Sequence, residues 1–550
     1  MTKKATLYTP ASLNGGWLLI SIDTALWLHK SSGCKDITIK SVSNQKMFNF
    51  FNLLLRFKNL SSYLNKNKFK KLKSFITLSN SKNYKLSKLS NFAVGNIDHA
   101  NLTIGDLEIK FVRVKAVKKN SILNNLILSF RVIVDYFRYF SKSALKNKIY
   151  LKYQVAGVYS GLHVLSEALR SDYKSYGSIF HCRPGILAAL YRLHSFVLNN
   201  KNDDLLIENN SFVCGPDQEY VYGFFSRFMS DLGACFIETN NTQKPYIKRE
   251  LKDKYYSRLK LYQIDNNFNS IEKEKITEYY SSRIEKPWEA LDYMHFIKKK
   301  SSLNQVSIQL NGISAIVYLH SFTDAQYIYG YDGYHDLMDW CLNTISLLNS
   351  NEHVSKVIVK PHPGINPVYH SGDSFANNYL KSKISKFDKV QWADFHFDVN
   401  HINSLGLVVG ITHHGSVAEE LVFKKIPVIA STHSYWGEEY KFGYWWKDVK
   451  EYEKLISSKS ITELVVTENQ TNELYRYAMK KYFNLNSDTN FDVDSTWRDM
   501  LNIYDGVEDC HEHGENMEQI NYLVSQIDPE ERQFKKYIKT RLQRMNLLKN

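Results

Sequence analysis

Three short stretches hold residues that could receive an anion: "HSFTD" (His320 to Asp324), "KPHPG" (Lys360 to Gly364) and "THHGS" (Thr412 to Ser416). Lysine and histidine can donate hydrogen bonds to a phosphate, and histidine can also pass it a proton. In "KPHPG", Pro361 and Pro363 restrict the backbone on either side of His362. A donor held in place in this way stabilises charge that develops on a leaving group. "THHGS" carries two meanings. Ser416 with Glu419 fits the S-x-x-E capping box of a helix start. The free N–H groups of such a start also form an anion site, and Glu420 one residue on could take the hydroxyl pair of a ribose. A metal would need a second histidine at helical ligand spacing. The sequence supplies none beside His362, so no metal is expected.

Each stretch follows an apolar run that suits a buried strand: "SAIVYLHS", "VIVK" and "LGLVVGI". Helical patterns lie between and after them, in "HDLMDWCLNTISLLN" and "SVAEELVFKK", and a further strand, "IPVIAS", leads into a fourth polar loop, "STHSYWGEEY". Alternating strands and helices predict a parallel sheet, whose ligands sit at the carboxyl ends of its strands. The three stretches should therefore share one edge.

An earlier series has the same character. "ATLYT", a glycine turn and a helix lead to "DITIK"; the helices "GLHVLSEALRSD" and "CRPGILAALYRLHSFVLNN" follow; then come "SFVCG", the helix "DQEYVYGFFSRFMSDLG" and "ACFIET". Residues 41–120 are polar and give no ordered pattern. The expected fold is α/β: two Rossmann-like domains facing across a cleft, the GT-B arrangement, with a helical C-terminal extension. Residues 1–300 would form the first domain, with a basic insertion at about 41–150 and a helical connection at about 245–300. Residues 301–446 would form the second, and 447–550 the extension.

The formal net charge of +15 fits an anionic partner: a membrane surface, an anionic polymer or nucleic acid. No nucleic-acid motif is present, so nucleic acid is not an expected partner. Six scattered cysteines without CxxC spacing fit a reducing compartment. No run of ~18 uncharged apolar residues occurs, and the expected location is cytoplasmic. "SILNNLILSFRVIVDYFRYF" (Ser121 to Phe140) reads as an amphipathic helix flanked by basic residues. It would either pack on a core or dock peripherally on the inner face of an anionic membrane.

At these residues the sequence resembles the bacterial capsule-polysaccharide synthesis glycosyltransferases, the GT-B group that includes Kdo transferases and polysialyltransferases. "VIVKPHP" looks like that family's His-Pro motif, and "GITHHGSVAEELVFKKIPVIA" like its Ser/Thr-containing loop and helix. In the first domain, "GVYSGLHVLSEALR" and the D-x-x-Y-x-x-G pattern of Asp217, Tyr220 and Gly223 are similar to helix starts in such proteins. The resembling span is roughly 157–440.

The resemblance implies a metal-independent transfer of a sugar such as Kdo or sialic acid. The donor would be a nucleotide-sugar, CMP-linked, and the acceptor a surface polysaccharide or glycolipid. It needs no cofactor beyond that co-substrate. His362 and Ser416 would contact the donor phosphate and Glu420 the ribose, with Lys360, Pro363, Ser321, His414 and Gly415 completing the donor site. Asp217 would be the general base, with Glu219 and Glu238 behind it; an ordinary helix N-cap is the other reading of Asp217. The same fold could instead serve a CDP-alditol phosphotransferase, a sugar-nucleotide 2-epimerase or a non-catalytic glycan-export scaffold.

Overall fold

The apolar runs pair into two separate sheets in a computed structural model. It describes residues 3–9, 21, 24–25, 28–29, 33–41, 99–104, 107–113, 122–171, 175–200, 211–215, 220–240, 243–248, 270–285, 313–323, 326–362, 371–393, 402 and 407–479. The first sheet uses β1 (Lys3–Thr9), β2 (Cys34–Ser41), β3 (His99–Ile104) and β4 (Leu107–Arg113). A small hairpin, β5 (Gln154–Val155) with β6 (Val158–Tyr159), stands apart. Strands β7 (Ser211–Gly215), β8 (Cys235–Asn240) and β9 (Gln243–Lys248) complete the first sheet, in the order β3-β4-β2-β1-β7-β8-β9. Its centre is parallel and both edge pairs, β3 with β4 and β8 with β9, are antiparallel. Strands β3 and β4 come from the stretch whose sequence gave no ordered pattern.

The second sheet is parallel throughout. It comprises β10 (Ile313–Tyr318), β11 (Val354–Lys360), β12 (Val390–Trp392), β13 (Val408–Thr412), β14 (Val428–Ser431) and β15 (Tyr444–Trp446). Their order is β12-β11-β10-β13-β14-β15. Counted from β10 this is 3-2-1-4-5-6, the doubly wound order, and it reverses between β10 and β13. Every residue of β10 and β13 is buried. Ala315 and Val317 face one core while Ile316 and Tyr318 face the other, so the sheet is covered on both sides. Burial of Ile316 and Val317 contributes roughly 1.5–3 kcal/mol each by leaving water.

The helices of the first half are α1 (Ile122–Asp135), α2 (Lys142–Lys146), α3 (Gly161–Ser171), α4 (Arg183–Asn200) and α5 (Tyr220–Asp231). They share one core with Tyr8 of β1 and Val213 of β7. Helix α6 (Ser270–Glu285) follows. Around the second sheet lie α7 (Leu337–Ser350), α8 (Ser371–Ile384), α9 (Val417–Phe423), α10 (Val449–Ser457) and α11 (Glu468–Ala478). Leu474 and Tyr477 of α11 pack with Ile276 and Tyr280 of α6 in the core on one face of that sheet. No helix among the described residues is long and apolar enough to cross a membrane.

A buried carboxylate ties the two halves. Asp336 caps α7 by accepting from the Asp339 N–H at 2.8 Å, and it also accepts from the Ser178 hydroxyl at 3.0 Å and the Ile179 N–H at 2.9 Å. Burial pushes its pKa up to about 6. With two parallel-sheet units built in series, the fold class is α/β of the GT-B kind.

Candidate functional site

The strand order puts β11, β10 and β13 side by side, so the loops after Lys360, Tyr318 and Thr412 meet on one edge, at the point where the order reverses. In an open α/β sheet this is where the ligand crevice forms. The imidazole of His320 lies 4.1 Å from that of His414 and 5.6 Å from that of His362, centroid to centroid. Tyr329 stands edge-on to His414 at 5.3 Å. Three histidines from three strand ends therefore converge.

His414 is the most enclosed of them. Its Nδ1 meets Nδ1 of His413 at 2.7 Å, and His413 Nε2 bonds the Asp332 carboxylate. Trp340 and Trp446 stand edge-on to His413 at 5.4 and 5.7 Å, which fixes its ring. On the far side, Nε2 of His414 is buried and has no hydrogen-bond partner among the described residues. An orphaned buried polar atom carries a desolvation cost, and that cost is removed when a ligand supplies the bond. Burial, then the neighbouring His320, His413 and His362, hold the His414 pKa well below its usual range, so the ring is neutral at pH 7.

The bond to Asp332 requires hydrogen on His413 Nε2, while the proximity of His413 keeps the Asp332 carboxyl below its ordinary range against the upward pull of burial. With hydrogen on Nε2, His413 Nδ1 accepts from His414 Nδ1–H, which leaves His414 Nε2 as a bare acceptor. Asp332 and His413 thus orient His414, whose Nε2 can take up a proton and donate it to an anion entering beside His320 and His362.

The nearby acids are already matched. Arg283 of α6 donates from Nε to Glu420 Oε1 at 2.8 Å and lies 3.6 Å from Glu419 Oε2. Glu419 also accepts from the Tyr280 hydroxyl at 3.1 Å and the Tyr477 hydroxyl at 3.4 Å. Burial raises the Glu420 pKa, and Arg283 and Lys360 oppose that rise. One guanidinium thus serves both acids, and Lys360 is a further cation acting on Glu420.

The expected site residues divide into groups. Lys360 is buried, with Nζ donating to the Pro361 carbonyl at 3.0 Å. His362 and His414 sit in the cluster. Gly415 follows, its N–H donating to Thr412 Oγ1 at 3.3 Å; a Cβ there would come 2.7 Å from that oxygen, which accounts for the glycine. The capping box at Ser416 is not formed: Ser416 has helical backbone angles and makes no side-chain cap bond, and Glu419 turns into the Arg283 network. Helix α9 is also only 7 residues long, so its start is a weak anion site by itself. Ser321 is engaged elsewhere, donating to Asp373 Oδ2 at 2.6 Å, while the other oxygen of Asp373 accepts from the Thr323 N–H at 3.0 Å and its hydroxyl at 3.1 Å. That acid joins α8 to the loop after β10. Glu420 is tied to Arg283. Glu238 lies on β8 in the first sheet. Asp217, Glu219 and Pro363 lie outside the described residues. Among the described residues no group of three or more His, Cys, Asp or Glu has the geometry to hold a metal ion.

Sequence reasoning missed Asp332, His413 as a positioning residue, and Arg283. Asp332 is 81 residues and Arg283 more than 130 residues from its partner, so no local spacing marks either pair.

No family model and no curated protein matches the chain. Among solved structures, it is similar to an alpha,alpha-trehalose-phosphate synthase (UDP-forming) from Burkholderia vietnamiensis, at 10% identity and a TM-score of 0.30, over 91% of this chain and 99% of that one. A glycosyltransferase from Rickettsia africae matches at 12% identity and TM-score 0.24, over 88% and 95% of the two chains. An alpha,alpha-trehalose-phosphate synthase from Burkholderia xenovorans, in complex with glucose-6-phosphate, matches at 9% and 0.27, over 90% and 99%. At these identities and scores the substrate of this chain is not indicated, and the fold class rests on the strand order of its sheets.

Proposed function

We propose that the protein is a nucleotide-sugar glycosyltransferase whose donor phosphate sits against His320, His362 and His414. The observation that carries this reading is the buried, unpartnered Nε2 of His414, set among imidazoles at the reversal point of a doubly wound sheet. An anion entering there gains donors from three strand ends. Its negative charge also opposes the burial and the neighbouring imidazoles that keep His414 neutral, so on its arrival His414 takes up a proton from solvent at Nε2. Charge growing on the departing phosphate is absorbed by these groups and by Lys360.

In the finer form, the donor is a CMP-sugar of Kdo or sialic acid type, transfer needs no metal, and Asp217 is the general base on the acceptor hydroxyl. Glu420, with one oxygen on Arg283, offers its other to the ribose, and Ser416, its hydroxyl free of any capping duty, faces the phosphate. The acceptor is a surface polysaccharide or glycolipid, and the enzyme works in the cytoplasm at the inner membrane face. The motif resemblance of residues 157–440 supports this form.

Replacing His362 by Ala removes one donor to the developing charge and is expected to lower transfer by on the order of 10²–10³, with the melting temperature unchanged. Release of CMP from a CMP-sugar in the presence of a glycan acceptor is the assay. Full turnover in H362A would overturn the assignment. Turnover of a CDP-alditol in place of the CMP-sugar would move the protein to phosphotransfer.

A further inference from the structure

Helix α1 and the π-helical turn after it (Tyr136–Phe140) break the burial rule. Leu126, Ile127, Phe130, Ile133, Val134 and Phe137 are 44–70% exposed. Their spacing of 1, 3, 3, 1 and 3 residues places them on one stripe of the helix. The opposite side is committed inward: Leu128, Val132 and Phe140 are buried in the core of the first half. Six large apolar side chains in one exposed stripe are more than scattered surface residues and mark an interaction surface.

The surrounding charge identifies the partner. Between Ile122 and Tyr150 the chain carries Arg131, Arg138, Lys142, Lys146 and Lys148 and a single acid, Asp135. That acid faces inward, with Oδ2 2.7 Å from His194 Nε2 and 3.1 Å from the Tyr153 hydroxyl. Arg131 and Arg138 are exposed and run along one rim of the apolar stripe, seven residues apart. A second copy would bring cation against cation. A surface that is apolar inside and negative outside satisfies both features.

We infer that α1 docks this protein on an anionic lipid bilayer, its apolar stripe entering the headgroup boundary and its arginines meeting lipid phosphates. The docked element connects directly to the candidate site. Lys148, just past α2, donates to the Gly333 carbonyl at 2.8 Å, and Tyr150 stands edge-on to Tyr331 at 6.4 Å. Tyr331 and Gly333 flank Asp332, the acid that holds His413. A lipid-borne acceptor would thus arrive at the side of the molecule that carries the histidine edge. The docking surface itself stands on the exposure and charge of α1 alone; only this placement of the acceptor rests on the transferase reading.

The test is sedimentation of the full chain with phosphatidylcholine vesicles, with and without phosphatidylglycerol, together with light scattering to count copies. Wild type is expected to sediment with the anionic vesicles as a monomer, less so at high salt. Phe130→Glu and Phe137→Glu should each weaken retention by about 10-fold or more, and Arg131→Glu with Arg138→Glu should weaken it and flatten its salt dependence. All four positions are exposed, so melting temperatures should hold. Failure of wild type to bind anionic vesicles would overturn the inference. Retention unchanged in the Phe130 and Phe137 variants, or a dimer that they dissociate, would do so equally. Titration of CMP into the same variants separates the two readings: α1 variants that lose vesicles but keep CMP support both, and a chain that binds vesicles but never CMP retains the surface and loses the transferase assignment.

Discussion

The histidine edge of the second sheet and helix α1 of the first half depart from the ordinary distribution of residues in opposite directions. At the edge, polar side chains are buried and Nε2 of His414 lacks a partner among the described residues. On α1, large apolar side chains stand in solvent. Buried polar groups and exposed apolar patches are the informative exceptions to burial. Each is a surface that something else completes, a small anion in one case and a bilayer in the other. They also predict different responses to substitution: changes at the edge should damage chemistry, and stability too where a buried charge loses its partner, and changes on α1 neither.

The largest effect is expected at Asp332. Asp332→Asn keeps the shape but can no longer hold His413 in its Nε2–H form or stabilise its charged form, and kcat should fall by on the order of 10²–10⁴. Steady-state rates would show it; a kcat within a factor of two of wild type would remove this positioning role. Next is Arg283→Met. It removes the guanidinium that both Glu419 and Glu420 face in the interior and should cost about 3–5 kcal/mol in urea unfolding. A smaller loss would mean that the edge is less dependent on its buried pair than the geometry implies.

Asp336 offers a pH test of comparable size. Its folded pKa of about 6 lies above the ordinary ~3.9 of an unfolded aspartate, so the folded chain holds the proton more tightly. Its contribution to stability therefore declines as pH rises from about 4 to about 6, by ~3 kcal/mol in all. Unfolding midpoints followed across that window should show this slope in wild type and a flatter one in Asp336→Asn. Identical slopes would remove Asp336 as the cause.

The smallest effects sharpen the contrast. Ser416→Ala should change stability by less than about 0.5 kcal/mol, because the hydroxyl makes no cap bond. A loss of about 1 kcal/mol would restore the capping box. Phe130→Ser on α1 should be equally mild in the same unfolding experiment, in keeping with its solvent exposure.

Much of this architecture was legible in the residues. The continuous apolar runs around Val317, Val359 and Val409 announced buried strands, and their alternation with helices a parallel sheet; its doubly wound order is seen only in the fold. Such a sheet puts Lys360, His362 and His414 on one edge, at the carboxyl ends of its strands. Strands β3 and β4 were not legible, because they sit in a polar, lysine-rich stretch and pair with each other and with β2 across a long gap in sequence. The capping box misled for a physical reason. Glu419 is drawn into the interior by Arg283, Tyr280 and Tyr477, partners from two distant helices, and a local motif cannot register them. For the same reason the spacing of "THHG" did not reveal that His413 serves Asp332 while His414 faces the ligand.

The central claim, that a phosphate completes the histidine edge, is tested most directly by calorimetric titration of CMP in buffers of different ionisation enthalpy. With its Nδ1–H given to His413, His414 must take up a proton at Nε2 to donate to an anion, so wild type should bind CMP with net proton uptake near pH 7.5. His414→Gln should bind more weakly and with that uptake diminished. CMP binding without proton uptake, or uptake undiminished in His414→Gln, would contradict the account.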